Sequence, residues 1–130
     1  MTKPDRDQQA ASRPLPNRAI VYRALLRKTW IERDGETVTT EAYLLRPNEI
    51  GLSVSIASVC SPEQCAAKFR NCYGVVSLEV GSIRELGLDV LQDSPSHGTI
   101  IRLPSRQEDP LGAVETADLL AERSRVVWRP

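Results

Sequence analysis

The stretch from Gly74 to Pro104 does most to limit what this chain can fold into. Gly-Val-Val-Ser-Leu-Glu-Val gives way to Gly-Ser-Ile-Arg-Glu-Leu-Gly, then Leu-Asp-Val-Leu, a Ser-Pro-Ser-His-Gly loop and Thr-Ile-Ile-Arg-Leu-Pro. Short runs of Val, Ile and Leu bounded by Gly, Pro and Ser read as strands. The stretch is predicted as strand over 74–80, one helical turn, strand over 88–91, loop over 93–98 and strand over 99–103, stopped by Pro104. The helical turn is predicted to open on a capping box, Ser82-Ile83-Arg84-Glu85, and to close at Gly87.

Upstream, Ile50 to Ala57 alternates most cleanly, with Leu52, Val54 and Ile56 on one side and Ser53 and Ser55 on the other. Ala19 to Leu26 is a second strand, placing Ile20, Tyr22 and Ala24 on one face and Val21, Arg23 and Leu25 on the other. An arginine amid such neighbours is expected at a sheet edge or pointing into a site. Between these strands, Trp30 to Leu45 reads as a hairpin around Asp34-Gly35, its arm Glu36 to Leu44 an edge strand or protruding ribbon. Ser61-Pro62-Glu63-Gln64 has the features of a helix start, with Cys65, Ala66 and Phe69 as the apolar stripe and Gly74 as the stop. A second helix is predicted over Ala113 to Ser124 on the spacing of Val114, Ala117, Leu120 and Ala121. Val126-Val127-Trp128 is expected to add a last edge strand or to dock on the core.

The expected product is a single α+β domain over 18–130, a mainly antiparallel mixed sheet with two packed helices. Residues 1–17, with three prolines and alternating charge, are predicted to be a disordered N-terminal arm. Two Trp, three Tyr and one Phe leave the core to aliphatic side chains and spare little aromatic surface for stacking nucleic-acid bases. The formal net charge of zero provides no global basic field for nucleic acid or membrane. The charge is divided, however. Residues 1–33 hold eight Lys or Arg against three Asp or Glu, and the remainder holds nine against fourteen. The polar, Pro-interrupted start lacks the apolar segment of a signal peptide, and no apolar run approaches the roughly 18 residues of a membrane span. A cytoplasmic protein with reduced thiols is the expectation.

His97 is the first candidate for chemistry, because imidazole titrates near neutrality and the residue stands in a loop at a strand start. Cys60, Cys65 and Cys72 are spaced C-x4-C and C-x6-C, and His97 could complete a Cys3His set. Structural zinc favours tighter C-x2-C pairs, so the cysteines read as small core residues and no metal is expected. Of the three, only Cys65, near a helix start, stands where a nucleophile could be activated. Phosphate-loop, dinucleotide-binding, zinc-protease and nucleophile-elbow motifs do not occur.

Tyr22-Arg23 on a first strand, followed by Leu52-Ser53-Val54-Ser55, resembles the folds of ADP-ribosyltransferases and RES-type NAD-cleaving toxins over Val21 to Ala57. The resemblance implies NAD held by an Arg and a Ser on adjacent strands, with a Glu completing the site. The chain departs from that pattern in lacking a Glu-x-Glu pair and a Gly-x-Arg-Trp-Asn motif, leaving Glu79 or Glu85 as stand-ins. Val80 to Val90 with His97-Gly98-Thr99-Ile100 is similar to small bacterial proteins of no assigned activity, which transfers no site residue.

The leading functional expectation is a non-enzymatic protein-interaction module that binds a protein partner or itself through an exposed strand edge. The alternative is a small NAD-using enzyme with Arg23, Ser53, Ser55 and His97 around one pocket. A further alternative is nucleic-acid binding through the basic leading segment, by Arg13, Arg18, Arg27 and Lys28.

Overall fold

The computed structural model describes residues 14–130; most of the predicted arm, residues 1–13, lies outside the described residues. Six strands form: β1 (Ile20–Leu25), β2 (Leu52–Ile56), β3 (Gly74–Glu79), β4 (Asp89–Gln92), β5 (His97–Ile101) and β6 (Arg125–Trp128). Three helices accompany them: α1 (Pro62–Ala67), α2 (Val80–Arg84) and α3 (Pro110–Arg123). The strands make one sheet in the order β4-β5-β2-β1-β3-β6, every neighbouring pair antiparallel. The α+β reading is correct.

Strand alternation sends Val21 and Leu25 of β1, Leu52, Val54 and Ile56 of β2, Val76 and Leu78 of β3, and Val90 and Ile100 of the outer pair into one buried cluster. Trp30, Tyr43 and, from α3, Ala117 and Leu120 close over that face. Each fully buried aliphatic side chain removes enough apolar area to contribute about 1.5–3 kcal/mol. The opposite face is covered at one end only. There α1 lays Cys65 and Ala66 with Cys60 on Ala24 and Val75 in a second, smaller cluster.

Several local expectations are corrected. The arm Glu36 to Leu44 is not a strand. The hairpin shrinks to a single bridge, Ile31 to Val38, and Thr40–Tyr43 winds into a 3-10 turn that buries Ala42 and Tyr43. A flat ribbon would hold Tyr43 in water. The turn instead carries it into the core, where its hydroxyl meets that of Ser124. The Asp34-Gly35 turn itself forms, Gly35 at φ +72° and the Asp34 carboxylate accepting from the backbone N–H groups of Glu36 and Thr37 at 2.8 and 2.9 Å.

The Ser61 capping box is present, with Ser61 Oγ accepting from Gln64 N–H at 3.1 Å and Gln64 Oε1 from Ser61 N–H at 2.9 Å. α1 stops at Ala67, well before Gly74, because the Tyr73 N–H must already reach the Leu25 carbonyl, 2.8 Å away, to start β3 beside β1. Phe69 therefore leaves the apolar stripe and is exposed. The box at Ser82 does not form. α2 begins two residues earlier, where the N–H groups of Val80 and Gly81 bond the carbonyls of Ala19 and Asn17 at 2.9 and 2.7 Å. Glu85 is drawn instead to Arg123 Nη1 at 2.6 Å. Gly87 closes that turn at φ +82°. In α3 it is Ala113, not Val114, that turns inward with Ala117 and Leu120. The ordered body also reaches back past Arg18: Leu15 is buried and Pro14 bridges Leu91.

Candidate functional site

The open half of the sheet gathers three of the four residues singled out in the sequence. The register sets Ser55 opposite His97 and Ser53 opposite Thr99 across β2 and β5, and Tyr22 opposite both Ser55 and Ser77 across β1. Directly opposed side chains on one sheet face lie about 4.5–5.5 Å apart at Cβ, close enough to act together. Ser53, Ser55 and His97 therefore share one surface with Tyr22, Ser77 and Thr99.

His97 has a partner that spacing alone does not announce. Its Nδ1 lies 2.5 Å from Asp93 Oδ1, while Asp93 Oδ2 accepts from the Thr99 hydroxyl at 2.7 Å. The tight turn between β4 and β5 brings the pair together, the Asp93 and Ser94 N–H groups both reaching the His97 carbonyl at 3.0 and 3.2 Å. Burial pushes against ionisation of Asp93, but the bonds from Thr99 and His97 outweigh it and hold the carboxyl below the usual range. An imidazole oriented by a carboxylate is a competent acid or base. Both residues are substantially exposed, so water reaches the ring.

Ser55 is buried, and its hydroxyl accepts from Lys68 Nζ at 3.1 Å. Cys65 lies close to it. Burial pushes the Cys65 thiol up, and the Ser55 hydroxyl offsets that only in part. A thiol so held stays protonated at neutral pH and is a poor nucleophile. All three cysteines are free. Among the described residues no group of three or more His, Cys, Asp or Glu stands close enough to hold a metal ion.

Arg23 lies on the other face. It is neither at an edge nor beside the serine side chains, since β1 sits between β2 and β3 and the side chain points with Val21 and Leu25. Its Nε donates to the Ala42 carbonyl at 2.8 Å and its Nη1 to the Ser53 carbonyl at 3.0 Å. The guanidinium stands over Trp30 at 5.3 Å and Tyr43 at 5.6 Å. The four residues of the NAD reading are thus divided by the sheet, three on the open face and one beneath the packed face. Sequence alternation already placed Arg23 opposite Tyr22. Only the pairing of Val21 with Ile56 and of Tyr22 with Ser55 fixes which serine face that is.

The two sheet edges differ. The outer side of β4 is met by Pro14 at Leu91, and Arg84 clamps Asp89 at 2.9 Å. The outer side of β6 has no backbone hydrogen-bond partner among the described residues. No helix among the described residues is long and apolar enough to cross a membrane. No family model, curated protein or solved structure matches the chain.

Proposed function

We propose that the chain is a non-enzymatic protein-interaction module that docks another polypeptide strand along β6. The open outer edge of β6 supports this reading. One end of the sheet is met by Pro14 at Leu91, and the other, among the described residues, presents unpaired backbone groups, the feature that templates strand addition. The hairpin expected to supply an edge is folded into the core, so the docking role passes to β6.

The strand that fits best is β6 of a second copy. A bulge sets Val126 opposite Val76 and Trp128 opposite Val75, which brings Arg125 and Trp128 to the same face. In an antiparallel pair about a two-fold axis, Arg125 of one copy then faces Trp128 of the other, cation to indole, and like charges do not meet. Val127, 39% exposed, is covered by the same contact. With four residues per strand, the association is weak and concentration-dependent. Light scattering on a sizing column, over about a hundredfold range of concentration, tests it by mass action. A shift from monomer to dimer that Val127→Lys abolishes supports the reading. A monomer throughout, which also retains no partner protein in a pull-down, removes it.

A further inference from the structure

Over Trp30 and Arg23, a trough lined by Arg27, Arg46 and Arg106 holds more cations than carboxylates. Two shallow grooves of about 400 and 460 Å³ share Arg46 and Arg106. The first adds Asn48, Ser105 and Gln107; the second adds Arg27, Thr29 and the edge of Trp30. Beneath Trp30 lies Arg23, only 9% exposed, so two guanidinium groups address one indole, Arg23 at 5.3 Å and Arg46 at 5.7 Å.

Two carboxylates, Glu49 in the first groove and Glu41 in the second, also line the trough, and neither forms an ion pair with an arginine. Glu49 Oε1 accepts the backbone N–H of Arg46 at 2.7 Å, and Glu41 Oε2 accepts the Thr29 hydroxyl at 3.0 Å. Among the described residues no Asp or Glu comes within 4.0 Å of a guanidinium nitrogen of Arg23, Arg27, Arg46 or Arg106. A buried arginine without a carboxylate is costly, and a second cation on the same ring adds repulsion. Burial pulls Arg23 below its ordinary pKa, Tyr43 and then Glu49 oppose that in part, and Arg46 adds a smaller lowering effect. An anion settling between Arg46 and Arg106 would relieve both strains.

We infer that this trough binds a small polyanion carrying more than one phosphate group. Guanidinium forks match phosphoryl oxygens two at a time. Ser105, Asn48, Gln107 and Thr29 provide neutral polar groups along the walls, and the two joined grooves give length for linked phosphates. The groove that holds Arg27 has a mainly polar lining, and the size of both lies in the range of small-molecule sites.

The test is calorimetric titration of the full chain with pyrophosphate, with citrate and a ten-nucleotide RNA as parallel arms. Saturable pyrophosphate binding is expected, weakened about tenfold or more in Arg46→Gln and in Arg106→Gln and unchanged in Arg70→Gln, whose charge lies outside the trough. Arg46 and Arg106 are exposed, so their variants keep the fold, which circular dichroism checks. Citrate binding as tight as pyrophosphate overturns the phosphate assignment. RNA binding far tighter than pyrophosphate, with a steep salt slope, overturns the small-molecule assignment. No heat with pyrophosphate, or equal weakening in Arg70→Gln, overturns the site.

Discussion

Replacing Arg23 by methionine and by lysine separates two accounts of a buried arginine. The guanidinium satisfies two backbone carbonyls, Ala42 O and Ser53 O, and stands over two rings. Methionine fills nearly the same space and leaves both carbonyls without their donor, at about 1–3 kcal/mol each. It also forfeits cation–π attraction of about 1–2 kcal/mol. Against that, it abolishes the burial of a charge that no carboxylate neutralises, which recovers several kcal/mol. The balance for Arg23→Met is a net loss of about 1–3 kcal/mol. Lysine keeps the charge, is more strongly hydrated, and cannot span both carbonyls with a fixed fork. Arg23→Lys should therefore be the worse variant, by about 1–2 kcal/mol beyond Arg23→Met. Urea denaturation followed by tryptophan fluorescence measures both. With a slope of about 1.5 kcal/mol/M, a loss of 2 kcal/mol moves the midpoint down by roughly 1.3 M. If lysine is tolerated better than methionine, the charge itself is what the site requires, and the balance drawn above is wrong.

Other expectations can be checked on the same instrument. Leu120→Ala removes a fully buried side chain from the cluster that α3 shares with the sheet, and should cost about 2–5 kcal/mol. Ser61→Ala removes the Oγ that accepts from the Gln64 N–H in the α1 capping box and should cost about 1 kcal/mol, visible as a lower urea midpoint with an unchanged slope. Asp93 has a folded pKa below its unfolded value of about 3.9, so its stabilisation is present above that pH and is lost as pH falls through the folded pKa. Asp93→Asn should therefore flatten the fall in stability as pH drops through the carboxylate range, as pH-dependent urea midpoints would show. Cys72, partly exposed, should react with iodoacetamide before the buried Cys65, which peptide mass spectrometry would time.

What could be read from the sequence was whatever local pattern decides. The alternation in Leu52-Ser53-Val54-Ser55-Ile56 and in Val21-Tyr22-Arg23 assigned side chains to the correct faces, since period two is a property of the strand alone. The Ser61 box and the three strands between Gly74 and Pro104 followed from capping and β-branched runs in the same way. Where the sequence misled, a distant contact had overridden a local preference. Thr37 to Leu44 has strand composition, yet burying Tyr43 under α3 outweighs it. Ser82 and Glu85 have box spacing, yet Asn17 and Ala19 reach α2 first. The pairing of His97 with Asp93 was within reach, because the two stand four residues apart across a turn. That the sheet would divide Arg23 from His97 was not, because strand order is set by long-range pairing.

The most direct test of the docking edge is amide hydrogen exchange, resolved to single residues and run at low and high protein concentration. The outward amides of Arg125–Trp128 should exchange quickly when dilute and slow markedly when concentrated, while β4 exchanges alike in both. Unchanged exchange along β6, or concentration-dependent protection confined to another part of the sheet, would contradict the account.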